Sequence, residues 1–143
     1  MSTARSSVLV VVVNYRTAEL VVDCLRSLEP EVLAHDDAKV VVVDNASGDD
    51  SVAVISDAIA SKGWASWASL IASSINGGFA HGNNQAITSA MASSSPPDYF
   101  WLLNPDTVVA TGALGALTGP NKLHWFHFWQ MSKIDDSTAF DSG

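Results

Sequence analysis

Asn104-Pro105-Asp106-Thr107 places a carboxylate directly after the apolar run Tyr99-Phe100-Trp101-Leu102-Leu103. That run reads as a buried strand, so Asp106 is presented where a strand ends and a loop begins. In open α/β sheets, ligands bind outside the carboxyl ends of the strands. Pro105 fixes its own φ and turns Asn104 away from helical geometry, which stiffens the turn. A preset carboxylate in that position suits a hard cation carrying a phosphorylated ligand. The plainer alternative is an Asn-Pro-Asp turn that only ends a strand.

Three further polar clusters bear on that choice. Asp44-Asn45 follows the β-branched run ending at Val43. A carboxylate there can accept hydrogen bonds from a nucleobase N–H or a ribose hydroxyl, or it can cap the turn that follows. Asn76-Gly77-Gly78-Phe79-Ala80-His81-Gly82-Asn83-Asn84 has three glycines in nine positions. Glycines allow close backbone approach and free N–H groups for a ligand, and the start of the next helix offers partial positive charge to a diphosphate. A flexible loop with a helix cap is the alternative. Asn14-Tyr15 closes the first apolar run. No Gly-Lys-Ser/Thr phosphate loop occurs, and no Gly-x-Gly-x-x-Gly follows the first strand, which argues against a dinucleotide-binding dehydrogenase. His81 reads as a solvated loop histidine. His124 and His127, three apart, would share a helix face, but no third metal ligand accompanies them.

The elements that position these clusters alternate. Val8 to Val13 and Lys39 to Val43 are β-branched and uninterrupted, as suits parallel strands covered on both faces. Trp67 to Ser73 is a weaker third strand, and Tyr99 to Leu103 a fourth. Thr17 can cap a helix to about Leu28, with Val21, Leu25 and Leu28 on one face and Pro30 closing it. A second helix spans about Ser51 to Ala60, with Val52, Ile55 and Ile59 on one face. A third opens at Gly82 or Asn83 and runs through about Ala92, and a short one follows at Ala113 to Leu117. This β-α-β-α-β-α-β order predicts a parallel, doubly wound sheet with helices on both faces. All four polar clusters then share one sheet edge.

Composition bounds the partners. The 143 residues suffice for one domain, and 48% are hydrophobic, as in an ordered globular protein. Seven basic residues against fifteen acidic ones give a net charge of −8. That argues against a nucleic-acid groove, which needs clustered Lys and Arg. An anionic ligand would need a metal ion as intermediary. Cys24 is the only cysteine, so no intrachain disulfide or cysteine zinc cluster can form. No stretch reaches the ~18 apolar residues of a membrane span, and no signal peptide is evident. The expected location is cytoplasmic, with peripheral association at the inner face of the membrane as an alternative.

Four segments, in order and separation, resemble family 2 glycosyltransferases of the GT-A fold. They are Val10-Val11-Val12-Val13-Asn14-Tyr15, Val41-Val42-Val43-Asp44-Asn45-Ala46-Ser47-Gly48-Asp49, Asn76 through Asn84, and Leu102-Leu103-Asn104-Pro105-Asp106-Thr107. Each is weak alone; together they are strong. Their wording is similar to the rhamnosyltransferase-like branch. The resemblance covers roughly Val8 to Leu117. It implies a GT-A-like, Rossmann-like α/β fold with a mostly parallel sheet, incomplete at its C-terminal end. It also implies that Asn14 and Tyr15 line a nucleotide site and that Asp44, with Asn45, binds base or ribose. Asn76, Gly77, Gly78, Asn83 and Asn84 would border ribose and diphosphate. Asn104-Pro105-Asp106 would stand for the family's Asp-x-Asp motif, with Asn104 replacing the first Asp and Asp106 holding Mg²⁺ or Mn²⁺.

The implied reaction moves a sugar, rhamnose by that branch, from a dTDP- or UDP-sugar to a glycan or lipid-linked acceptor hydroxyl, with inversion, in polysaccharide biosynthesis. The sequence departs from the family after Gly119. Residues 1–119 read as the nucleotide-sugar-binding part, and residues 120–143 as an atypical aromatic and polar tail. Trp125, Phe126, Phe128 and Trp129 could pack over the sheet or offer a surface for a protein partner or self-association. Asp135 and Asp136 read as a solvated tail rather than the acceptor's base, so the base looks absent. The alternative function is a catalytically incomplete nucleotide-binding fragment or partner subunit. A phospho-acceptor receiver domain using Asp44 would need an acidic pair near the first strand and a later strand-end Lys, and neither is present.

Overall fold

The computed structural model describes residues 7–35 and 37–118. Four strands, β1 (Val8–Asn14), β2 (Ala38–Asp44), β3 (Ala68–Ala72) and β4 (Tyr99–Leu103), alternate with α1 (Ala18–Leu33), α2 (Ser51–Ser61), α3 (Phe79–Met91) and α4 (Ala113–Thr118). The sheet is parallel with order β3-β2-β1-β4. This is the doubly wound α/β architecture expected from the alternation of elements.

Strand alternation sorts the valines onto two faces. Val8, Val10 and Val12 of β1 join Val40 and Val42 of β2 in the larger core, against α1, α2 and α4. Val11, Val13, Val41 and Val43 face the other way, where Ala86 and Phe79 of α3 cover them. The crossovers through α1 and α2 step outward in one direction, and the return through α3 reverses it. A constant right-handed crossover therefore puts α3 on the opposite face. That reversal leaves a switch point between β1 and β4, beside Asn14 and Asn104. The register pairs Asn14 with Asp44 and Asp44 with Ala72, so the polar clusters do share one edge.

Three local expectations need correction. Pro30 does not close α1, which runs through it to Leu33. Proline costs a helix one hydrogen bond, but burial of Glu31 and Val32 after it holds the last turn. Thr17 makes no side-chain cap; its hydroxyl donates to Asn14 Oδ1 instead. The third helix starts at Phe79, not Gly82 or Asn83. Gly78, at φ 94°, makes the turn into it, a conformation that glycine adopts readily. Gly82 is therefore inside the helix, where a Cβ would come 2.8 Å from Val13 Cγ1. Its role is to let α3 sit close to β1.

No helix among the described residues is long and apolar enough to cross a membrane. His124, His127, the aromatic segment and Asp135-Asp136 lie outside the described residues.

Candidate functional site

Asn14 and Asp44 end adjacent paired strands, and the structure brings their side chains together. Asn14 Nδ2 donates to Asp44 Oδ1 at 2.8 Å and to Ser47 Oγ at 3.4 Å. Asn14 Oδ1 accepts from the Thr17 N–H and hydroxyl. Asp44 also accepts from the Ser47 hydroxyl at 2.6 Å and the Ser47 N–H at 3.2 Å. Both residues are buried, at 0% and 3% exposure. The turn-capping role is the one this geometry displays, with Asn14 and Ser47 as its partners.

Two non-glycine residues in left-handed backbone flank this cluster. Arg16 has φ 59° and Ala46 φ 57°, each two positions beyond the paired Asn14 and Asp44. Ser47 holds Arg16 there, accepting its N–H on Oγ and its Nε–H on the carbonyl. The Arg16 guanidinium stacks 5.0 Å from the Tyr15 ring centroid. Such backbone costs an L residue ~1–2 kcal/mol. Ala46→Gly is therefore expected to raise unfolding free energy by about 1 kcal/mol, moving the urea midpoint up at unchanged slope.

Beyond the cluster, a cavity of about 480 Å³ opens at the sheet's carboxyl edge. Val13, Tyr15, Thr17, Asn45, Asn76, Gly78, Phe79 and Pro105 line it. Its walls thus come from the ends of β1, β2 and β4 and from the loop entering α3, at the switch point where α/β sheets bind ligands. Tyr15 is 43% exposed, while Asn45 is 2% exposed. Asn45 Nδ2 donates to Asn76 Oδ1 at 3.0 Å and to the Gly78 carbonyl at 2.9 Å. Two acceptors on one nitrogen fix the orientation of the amide. Asn45 Oδ1 is buried and has no hydrogen-bond partner among the described residues, and neither has Asn83 Oδ1. Buried polar atoms are paired in the great majority of cases, so an orphaned acceptor marks a place for a donor group.

The remaining candidates occupy varied positions. Gly78 donates its N–H to Asn76 Oδ1. Gly77 lies beneath the His81 side chain, which leaves no room for a Cβ. Asn83 is buried and donates to the Phe79 carbonyl, while Asn84 is exposed. Asn104 accepts the Thr107 N–H at 3.0 Å, closing a turn with Pro105 and Asp106 at its centre. Asp106 is exposed beside the cavity-lining Pro105. Burial, with the Asp106 charge adding to it, pushes the Cys24 thiol up to about 12, so the thiol stays protonated. Among the described residues, no three His, Cys, Asp or Glu converge on a metal position.

Sequence reasoning treats Thr17 as a cap and gives no role to Arg16, Ser47 or Phe79. Ser47 has a local signal, lying three residues after a strand-end Asp. Phe79 and Arg16 have none.

The sequence model of glycosyl transferase family 2 matches residues 7–122. The chain belongs to this family. Its fold is shared with solved structures, among them the mannosyltransferase PcManGT from Pyrobaculum calidifontis, determined with GDP-Man and Mn²⁺. That similarity has a TM-score of 0.66 at 24% identity, over 81% of this chain and 31% of that one. S. aureus TarS is also similar, with a TM-score of 0.60 at 20% identity, over 76% of this chain and 30% of the other. The family 2 chain thus spans about a third of the length of these structures. No curated protein matches it by sequence.

Proposed function

We propose that this family 2 chain binds a nucleoside-diphosphate sugar in the β1/β4 cavity and presents it for transfer to an acceptor hydroxyl. The observation that carries the reading is Asn45 Oδ1, a buried acceptor in the wall of a cavity with no partner among the described residues. A pyrimidine imide N–H, as in uracil or thymine, is a donor of matching chemistry. The exposed Tyr15 ring offers a face for the base, with Arg16 stacked on it. Asn14 and Asp44 act from behind, by holding Thr17 and the loop after β2. Asn76 and Gly78, hydrogen-bonded to Asn45, continue its wall, and Asn83 and Asn84 on α3 are assigned to ribose and diphosphate. Pro105 leads from the cavity to Asp106.

The donor set at Asp106 fits a divalent ion shared with substrate. Mg²⁺ is commonly held by one or two carboxylates together with substrate phosphates, rather than by an all-protein cage. One exposed carboxylate on a proline-stiffened turn meets that requirement, and Asn104 adds a neutral side chain in place of a second charge. When bound, Mg²⁺ or Mn²⁺ supplies Lewis-acid neutralisation of the charge on the leaving diphosphate. The reading includes direct displacement with inversion at the anomeric carbon, and a rhamnosyl or related donor. The sugar would pass to a glycan or lipid-linked acceptor in the cytoplasm or at the inner face of the membrane.

Isothermal titration with UDP and dTDP, with and without Mn²⁺, tests this assignment. Mn²⁺ is expected to tighten binding about tenfold, worth ~1.4 kcal/mol, and Asp106→Ala to remove that increment. Nucleotide binding that ignores both Mn²⁺ and Asp106→Ala would sink the metal–donor site. A second reading is donor binding without transfer. Turnover of a labelled donor with acceptor present would exclude it.

A further inference from the structure

Glu31 is a buried carboxylate, 7% exposed, that the donor site does not use. The ion pair found among the described residues joins Arg26 and Asp23, so no described cation offsets the Glu31 charge. Burying a charge is costly unless hydrogen bonds satisfy it. Here they come from one segment. Glu31 Oε2 accepts the Gly112 N–H at 3.0 Å, and Oε1 accepts the Leu114 N–H at 3.0 Å. One turn earlier on α1, Ser27 Oγ accepts the Val109 N–H at 2.9 Å while donating to the Cys24 carbonyl. Residues 27 and 31 share a helix face. They bind positions 109, 112 and 114 in ascending order, so α1 sets the register of that segment.

The segment begins just after Asp106. β4 is locked to β1 up to Leu103, paired with Val12. Five residues, 104–108, then span to Val109. The sheet fixes one end of this loop, and Ser27 and Glu31 fix the other. Asp106 is also close enough to α1 for its charge to act on Cys24, one turn before Ser27. Leu28 and Val32 on the same helix show how α1 packs where only a core is needed. A charged acceptor of two N–H groups instead specifies where the backbone lies.

We propose that Glu31 is a positioning residue for Asp106, setting the carboxylate for the metal–diphosphate group through residues 109–114. The inference rests on the donor-site reading. It predicts that Glu31→Gln, which offers one acceptor oxygen instead of two, harms only the metal-dependent part of binding. UDP affinity would be measured with and without Mn²⁺ on the whole chain, alongside thermal stability. Metal-free affinity is expected to change less than about twofold, while the Mn²⁺ enhancement falls roughly fivefold or more. Leu117→Ala, which loosens α4 through its core without touching the hydrogen bonds, is expected to lower stability and keep the enhancement. Should Glu31→Gln not fold, Ser27→Ala carries the test and is expected to lose about half of the enhancement on a logarithmic scale.

Enhancement kept in full by Glu31→Gln, or by Ser27→Ala in its place, overturns this inference alone. So does equal loss in Leu117→Ala at matched stability. A wild-type chain with no Mn²⁺ enhancement overturns the donor-site reading and this inference with it.

Discussion

Gly82→Val is expected to cost about 3 kcal/mol of stability and to weaken nucleotide binding roughly tenfold or more. A Cβ at this position would lie 2.8 Å from Val13 Cγ1 and 3.1 Å from Cγ2. Val13 cannot easily yield. It is 6% exposed on a central strand, and its β-branched side chain has restricted rotamers. α3 would have to move instead, and α3 carries the second core and adjoins the Asn45 wall of the cavity. Magnitudes decide the milder case. Gly82→Ala gains ~1 kcal/mol of helix propensity but meets an overpacking cost of ~1–3 kcal/mol, so a net loss is expected. At Gly115 in α4, a Cβ would meet nothing within 4 Å. There the same change should stabilise by up to ~1 kcal/mol. Urea unfolding of both alanine variants gives opposite signs if α3 is held by close approach; a common sign would show that propensity alone governs both.

Asp44→Ala should be the other severe change, at about 3–5 kcal/mol, because it strands buried donors rather than removing one contact. Asn14 Nδ2, the Ser47 hydroxyl and the Ser47 N–H all end on this carboxylate. An unsatisfied buried donor costs ~1–3 kcal/mol, and relief from burying the charge returns only part of that. Asp44→Asn keeps one acceptor oxygen and turns an N–H₂ toward a donor, so ~1–2 kcal/mol is expected. These values would be read by denaturant titration. If Asp44 acts by holding Asn14 and Ser47, Asp44→Asn should keep UDP affinity within about threefold under conditions where it is folded. A loss above roughly tenfold at intact stability would instead show direct contact with base or ribose.

Much of the fold is legible in the sequence because its signals are local. β1, β2 and β4 are apolar runs bounded by polar residues, and β4 has the bounds expected of it. Helix faces follow from Val21, Leu25 and Leu28, all buried. The start of α3 is not legible, because three glycines in nine positions offer three places to begin a helix. Only the contact of Asn45 with the Gly78 carbonyl, 33 residues away, and the packing of Phe79 select among them. Pro30 misleads for a related reason. Its local effect is to end helices, and tertiary burial of the residues after it prevails.

By itself the sequence determined that four polar clusters end four parallel strands on one edge, Asp106 among them. β-branched runs, turn residues and the alternation of elements are properties of short windows, and right-handed crossovers leave little freedom in assembling them. Only the tertiary structure decided how those clusters divide the work. Asn14 and Asp44 satisfy each other across 30 residues, Asn45 keeps in the cavity wall an acceptor that no described residue pairs, and Glu31 reaches more than 80 residues ahead to the segment behind Asp106. A side chain turns inward or faces the cavity according to which partners strand register places within hydrogen-bond distance, and register is set by the packed sheet as a whole.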